Sequence, residues 1–253
     1  MRTDPLMVNR SRPTSGAATP AGALRYTDVT IVCAHPDDES FGLGALITVM
    51  SDAGARPRLV CFTAGETSTL GAGPDLDVRR AAELHCAAEA LGINQVILRH
   101  HPDGALTTVP LEELAAEIVA AGPGAEALLT FDHGGITGHP DHQHATTATV
   151  QAARQLGIPA WGWAIPERIA AALRAEFGVP FVGREDDELD LTVRVDRTRQ
   201  QHAVACHGSQ LQDNPVPGRR IELSGDTETL RLLHDPASPS PPQPPPTKDR
   251  RST

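Results

Sequence analysis

The chain has 253 residues, of which 40% are hydrophobic and 21% charged, and it carries a net charge of −10. That balance suits one soluble globular domain. It disfavours nucleic-acid phosphates and anionic membrane surfaces as partners, and 3% aromatic residues leave few platforms for stacking bases. No apolar run approaches the ~20 residues of a membrane span. The first 25 residues hold no continuous apolar stretch, so a signal peptide is not expected and the expected compartment is the cytoplasm.

Along the chain, residues 1–24 are rich in Ala, Gly, Pro, Ser and Thr and have no periodicity, which reads as a loose segment. Residues 28–34 form a short β-rich run, 42–53 a helix and 58–63 a second strand. Residues 75–91 read as a helix, with Leu84, Ala87, Ala88 and Leu91 on one face and Gly92 as its stop. A third strand follows at 95–98, then an amphipathic helix at 111–121 with Leu111, Leu114, Ala115, Ile118 and Val119 aligned. Residues 125–131 give a fourth strand, 141–156 a helix, 189–195 a half-exposed strand and 196–205 a last helix. Residues 236–253 hold 7 of the 22 prolines and read as a disordered tail. One domain over 25–235 remains. Its βαβα alternation predicts an α/β fold, a mostly parallel sheet with helices on both faces. Cys33, Cys61, Cys86 and Cys206 form no CxxC pair and are expected to be buried, reduced thiols.

Parallel sheets place ligands beyond the carboxyl ends of their strands. Those ends carry His35-Pro36-Asp37-Asp38, Gly65-Glu66, His100-His101-Pro102-Asp103 and Asp132-His133, the last leading to His139-Pro140-Asp141-His142-Gln143-His144. Seven of the 11 histidines lie in these segments. His35 and Asp38 can address one ion from a turn. His139 and His142 straddle a helix start, with Pro140 suited to the first helical position. Three N/O ligands with one open position make a hydrolytic zinc site. A single His-Pro-Asp triplet is ordinary turn material. The copy at His101 lacks a second ligand at close spacing and is expected to be a cap or turn. The first strand–helix turn lacks Gly-x-Gly-x-x-Gly, which excludes a dinucleotide site.

Ala34-His35-Pro36-Asp37-Asp38-Glu39 and Gly138-His139-Pro140-Asp141-His142 resemble the two signatures of the LmbE-like, or PIG-L, metal-dependent N-deacetylases. Thr63-Ala64-Gly65-Glu66, Arg80-Ala81-Ala82-Glu83-Leu84, Asp103-Gly104 and His207-Gly208-Ser209-Gln210 resemble further family segments in the same order, so the resemblance spans about residues 28–234. It implies a Rossmann-like fold and a divalent metal, zinc in most members and ferrous iron in some, held by His35, Asp38 and His142. It also implies Asp37 as general base, His139 as proton donor or oxyanion support, and Asp141 as the orienter of His139. Substrates of such proteins are small amino-sugar amides of the N-acetylglucosamine type. One segment departs from the mycothiol-pathway branch, where Tyr-Gly-His follows a glycine pair: here Gly134-Gly135 is followed by Ile136-Thr137-Gly138-His139.

Glu66, Arg80 and Asp103 fall near the strand ends beside the motif and are candidates for binding sugar hydroxyls. Alternatively, Arg80 pairs with Glu83 on the helix surface, and Glu66 and Asp103 are turn residues. The expected activity is removal of an acetyl or other acyl group from such an amide. The rivals are a metal-dependent esterase or phosphoesterase on the same ligands, its second metal site drawn from His100, His101 and Asp103, and a non-catalytic metal- or sugar-binding module.

Overall fold

The computed structural model describes residues 24–238, so the expectations for 1–23 and for the tail beyond 238 lie outside the described residues. Strand β1 (Asp28–Cys33) is buried along its whole length. Its side chains alternate: Val29, Ile31 and Cys33 enter one hydrophobic cluster, and Val32, followed by Ala34, enters another. A strand covered on both faces reads as such a continuous apolar run. In chain order there follow α1 (Asp38–Phe41), α2 (Gly44–Asp52), β2 (Arg56–Cys61), α3 (Leu76–Leu91), β3 (Gln95–Leu98), α4 (Leu111–Ala121) and β4 (Ala127–Phe131). Next come α5 (Gly135–Gly138), α6 (Pro140–Leu156), β5 (Ala160–Pro166), α7 (Glu167–Phe177), β6 (Gly183–Arg184) and β7 (Leu191–Arg194). The last elements are α8 (Thr198–Cys206), α9 (Gly208–Leu211), α10 (Val216–Ser224) and β8 (Thr227–His234).

The strand order is β3-β2-β1-β4-β5-β8-β7, with β6 paired to β5. β3, β2, β1, β4 and β5 pair in parallel, and β8 pairs antiparallel to both β5 and β7. Helices α4 and α6 cover one face through Leu114, Ile118, Ala145, Ala148 and Ala152. Helices α2, α3, α7 and α8 cover the other through Leu46, Leu84, Leu91, Leu173 and Ala203. The fold is therefore the α/β arrangement expected from the alternation.

Several elements differ from the sequence reading. The helix expected over 42–53 is α2, Gly44–Asp52, and an unexpected short helix, α1, precedes it; between them Gly42 lies where a Cβ would come to 3.0 Å from Phe131 and Trp163. The second strand runs Arg56–Cys61, two residues earlier than expected, in register with Asp28–Cys33. The last predicted helix starts at Thr198, whose N–H is taken by Asp196 Oδ1 at 2.7 Å. Strands β5 and β8 and helices α7 and α10 lie where no element was expected. β5 carries Gly162 in mid-strand, which weakens its sequence signal, and the leucines of β8 fit two periodicities: Leu230 joins one core cluster and Leu233 packs against the other.

The expectation of four reduced thiols is corrected for two of them. Cys86 on α3 and Cys206 on α8 are joined by a disulfide, and Cys33 and Cys61 are free and buried. The two helices lie side by side with these Cα atoms 5.9 Å apart, the ordinary span of such a bridge. A separation of 120 residues leaves no local spacing signal. Behind the sheet's far end, Glu228 is 4% exposed and accepts hydrogen bonds from Trp163 Nε1 at 2.7 Å, from Arg220 Nη1 at 2.5 Å and from Arg197. Among the described residues, no helix is long and apolar enough to cross a membrane.

Closing a loop of this length constrains the unfolded chain. Replacing Cys86 and Cys206 together by Ser is expected to lower stability by about 2–4 kcal/mol in urea unfolding without reductant. The parent should fall to the same value once a dithiol is added. Identical curves for parent and variant would show that the bridge does not form.

Candidate active site

Between β1 and β4 the chain departs in opposite directions, toward β2 on one side and β5 on the other. A crevice opens at such a reversal, beyond the carboxyl ends of the strands. His35 and Asp38 follow β1, and His139 and His142 follow β4.

Asp38 begins α1, and its Oδ2 accepts the N–H groups of Ala34 at 3.1 Å and His35 at 2.9 Å. Its Oδ1 lies 3.1 Å from His142 Nε2. His139 is the N-cap of α6, Pro140 occupies the first turn, and His139 Nδ1 accepts the N–H of Asp141 at 3.2 Å. His142, one turn into α6, donates from Nδ1 to Gly135 O at 3.1 Å. His35 Nε2 faces Asp141 Oδ2 and Asp103 Oδ1, both at 3.2 Å.

These contacts set both tautomers. In the neutral rings, with the outer nitrogens protonated toward oxygen acceptors, His35 Nδ1 and His142 Nε2 present lone pairs to each other across 3.1 Å, with the Asp38 carboxylate alongside. Three acceptors converge without a donor among them, and His35, Asp38 and His142 form a group able to hold a metal ion. Two imidazoles and a carboxylate, each supported from behind by an oxygen or an amide, are the donor set of zinc and related divalent ions. A second group, His35, His139 and Asp141, is less suited. His139 Nδ1 is occupied, and the Asp141 oxygens already accept Gly104 N–H at 2.8 Å and Leu106 N–H at 3.0 Å.

Charge follows the same design. Burial works against a proton on His35, but Asp103, Asp141 and Asp38 outweigh it and raise its pKa to about 10. Burial would raise Asp38, yet the attraction of His142 and His35 holds it well below the usual carboxylate range. Asp37 moves the other way, to about 6, because burial dominates and Asp38 repels its charge while Arg80 only partly compensates. A field that favours positive charge on an imidazole also favours a cation between the ligands.

Asp37 sits at φ 124°, a conformation costly for any residue but glycine. Its N–H donates to Glu39 Oε2 at 3.0 Å and its Oδ2 accepts from Arg80 Nη2 at 3.0 Å. Glu39 is fully buried and receives Ser40 Oγ at 2.6 Å and His207 Nε2 at 2.7 Å. Arg80 also donates to Gly65 O at 2.8 Å and to Pro36 O.

Of the remaining sequence candidates, Arg80 is 3% exposed and lies beneath Asp37; it does not pair with Glu83, which accepts from Ser209 instead. Asp103 stands behind His35, its Oδ2 taken by Thr67 N–H and Oγ at 2.8 Å. Glu66 is exposed and accepts Asp103 N–H at 3.1 Å. The Asp141 carboxylate turns to His35, and its link to His139 runs through its backbone N–H. His101 turns to Glu117 at 3.1 Å while Asp103 turns to His35, so His100, His101 and Asp103 are not assembled as a second metal cluster.

A cavity of about 430 Å³ opens at the ligand cluster, with His35, Asp37, Asp38, His139 and His142 at one end. Its remaining wall includes Phe41, Phe131, Ile136, Trp163, Phe181 and Val216. The sequence reading gave no sign of this wall, because much of it comes from β5, the segment after α7, and α10, where no element was expected.

The family profile described as PIG-L, GlcNAc-PI de-N-acetylase, matches residues 30–153. The chain is 32% identical over 278 aligned positions to a 1D-myo-inositol 2-acetamido-2-deoxy-alpha-D-glucopyranoside deacetylase of Kineococcus radiotolerans, covering 81% of this chain and 77% of that protein. Its fold is similar to that of an A40926 pseudoaglycone deacetylase, with a TM-score of 0.59 and 22% identity over 81% of this chain and 96% of the other. It is also similar to that of a 4-carboxy-2-hydroxymuconate hydratase from Pseudomonas putida, with a TM-score of 0.59 and 16% identity over 82% and 96%. At those identities the likeness concerns the fold alone, and it extends across more than one kind of reaction.

Support behind a ligand tunes metal affinity by 10- to 100-fold in typical sites. Asp103→Asn is expected to weaken zinc binding by about 10-fold or more, read by competition with a chromophoric chelator. His142→Ala should weaken it further, since it removes a ligand. Unchanged affinity in both variants would place the metal elsewhere.

Proposed function

The chain belongs to the PIG-L family of de-N-acetylases, and from that premise we propose that it is a zinc-dependent N-deacylase acting on a small amino-sugar amide. The observation that carries this reading is the convergence of His35 Nδ1, His142 Nε2 and the Asp38 carboxylate, with a strained, supported Asp37 immediately before Asp38 in the chain. His35, Asp38 and His142 would hold the ion. Once bound, it supplies the positive charge that polarises the amide carbonyl and makes water acidic enough to attack near neutral pH.

The chain's own residues perform the proton work. Asp37 lines the cavity and takes a proton from the attacking water. Arg80 fixes one of its oxygens and Glu39 fixes its backbone, so the other oxygen keeps a set direction. The raised pKa of Asp37 brings it nearer the range in which a group both accepts and returns a proton. Asp37 then passes that proton to the amine nitrogen as the C–N bond breaks, giving a carboxylate and a free amine.

His139 also lines the cavity. Because its Nδ1 accepts the Asp141 N–H, the neutral ring carries its proton on Nε2. Burial, and after it the field of His35, lowers its pKa and so favours the neutral ring. In that form it donates a hydrogen bond to the oxygen that gains charge at the acyl carbon, an interaction typically worth ~3–4 kcal/mol. Arg80 and Asp103 act from behind, on Asp37 and His35 respectively.

Asp37→Asn keeps the hydrogen-bonding shape and removes the base. Released amine from an N-acetylglucosamine glycoside should fall by at least ~100-fold, the low end of acid–base effects, with metal content unchanged. Near-parental turnover would remove Asp37 from the mechanism. Parental protein that holds zinc and releases no amine from any such amide would overturn the deacylase reading itself.

A further inference from the structure

The cavity beside the ligand cluster is far larger than an acetyl group requires. An apolar cavity of ~150 Å³ accommodates benzene, and this one measures about 430 Å³. Its wall is aromatic and aliphatic, and it is rigid. Phe131 is fully buried, and Trp163 is 3% exposed, fixed by its hydrogen bond to Glu228 at 2.7 Å and by Arg220 stacked 5.0 Å over its ring. Ile136 is held at φ 64°, which a β-branched residue adopts only under constraint, and its carbonyl accepts Val182 N–H at 2.6 Å.

Of the polar side chains in that wall, Asn214 and Arg220 are already committed, and Thr137 brings one hydroxyl that makes no hydrogen bond among the described residues. Asn214 donates to Gln210 O at 2.9 Å and accepts from Val216 N–H at 3.3 Å. Arg220 is spent on Glu228 and Phe41 O. A pyranose ring placed there would lose water from several hydroxyls and find few partners, each such loss costing roughly tenfold or more in affinity. The two ends of the amide are thus distinguishable. The sugar end needs several partners where the apolar wall offers the one hydroxyl of Thr137, and the acyl end needs none.

Resting on the deacylase reading above, we infer that the cavity is an acyl-chain site and that the preferred substrate carries an N-acyl group larger than acetyl, a medium-length alkanoyl or an aroyl group. The amide carbonyl lies at the ligand cluster, the acyl chain runs along Phe131, Trp163 and Val216, and the sugar stays at the mouth. The reaction balances as ordinary hydrolysis: water adds to the acyl carbon, the C–N bond breaks, the proton goes to the amine, and the acyl chain leaves as a carboxylate.

The test is a series of N-acylglucosamines from acetyl to octanoyl, with benzoyl added, hydrolysed by the zinc-loaded full chain. Each buried methylene contributes roughly fourfold, so kcat/KM should rise by on the order of 100-fold between acetyl and hexanoyl. Calorimetry with acetate and hexanoate, the carboxylate products, should give the same ranking. Val179→Phe, which narrows the cavity, should cut the hexanoyl-to-acetyl ratio of kcat/KM by at least tenfold. A series that is flat, or that falls from acetyl onward, overturns the acyl-chain site and leaves the deacylase reading standing. An unchanged ratio in Val179→Phe also overturns it. Failure of every amide overturns the deacylase reading and this inference with it.

Discussion

Three loops are joined into one site by a single imidazole and the carboxylates behind it. His35 follows β1, Asp103 follows β3 and Asp141 stands in the first turn of α6, and the three meet at His35 Nε2. Asp141 extends the link by holding Gly104 and Leu106 through their amides while itself fully buried. A buried carboxylate tolerates that position only when its oxygens are satisfied, and here several donors satisfy them. The inner nitrogen of His35 is thereby aimed at His142 and Asp38. The parallel strand order supplies the crevice, but this contact decides which atoms face into it.

A second layer of buried polar groups sits beneath the first. Arg80, Glu39 and His207 surround the turn at Asp37, whose backbone conformation would not persist unaided. Glu228, Arg197 and Arg220 form a similar knot behind Trp163. Breaking one member of such a knot leaves the others charged and unpaired, so each knot favours one arrangement of the wall it supports. The outcome is a site with a charged floor and an apolar side, both rigid for the same electrostatic reason.

Much of this was legible in the sequence, for identifiable reasons. β1 and α6 are short-range objects: a β-branched run, and a helix start marked by Pro140. The candidate ligand triad was drawn from two motifs at two strand ends, and the fold brings its three members together. What escaped has no local signature. The Cys86–Cys206 bridge joins helices 120 residues apart. β5 carries a glycine in mid-strand and β8 is ambiguous in period, and with them went Trp163 as a wall residue. Arg80 and Asp103 were read as reaching outward to a ligand, whereas they point inward to Asp37 and His35. Sequence spacing placed both near the site but carried no information on which side of it they stood.

The division of the chain has an evolutionary consequence. Every candidate ligand and every group proposed to handle a proton lies between His35 and His142, within the five-stranded parallel part of the sheet and its connecting turns. Trp163, Val179, Phe181 and Val216, which shape the cavity, come from later in the chain, on β5, the segment after α7, and α10. Mutations in the later stretch can therefore enlarge, shrink or recolour the cavity while the hydrolytic apparatus is inherited intact. Changes confined to the last third can thus alter which substrates fit, within the frame that Phe41, Phe131 and Ile136 set, without displacing the groups at the floor.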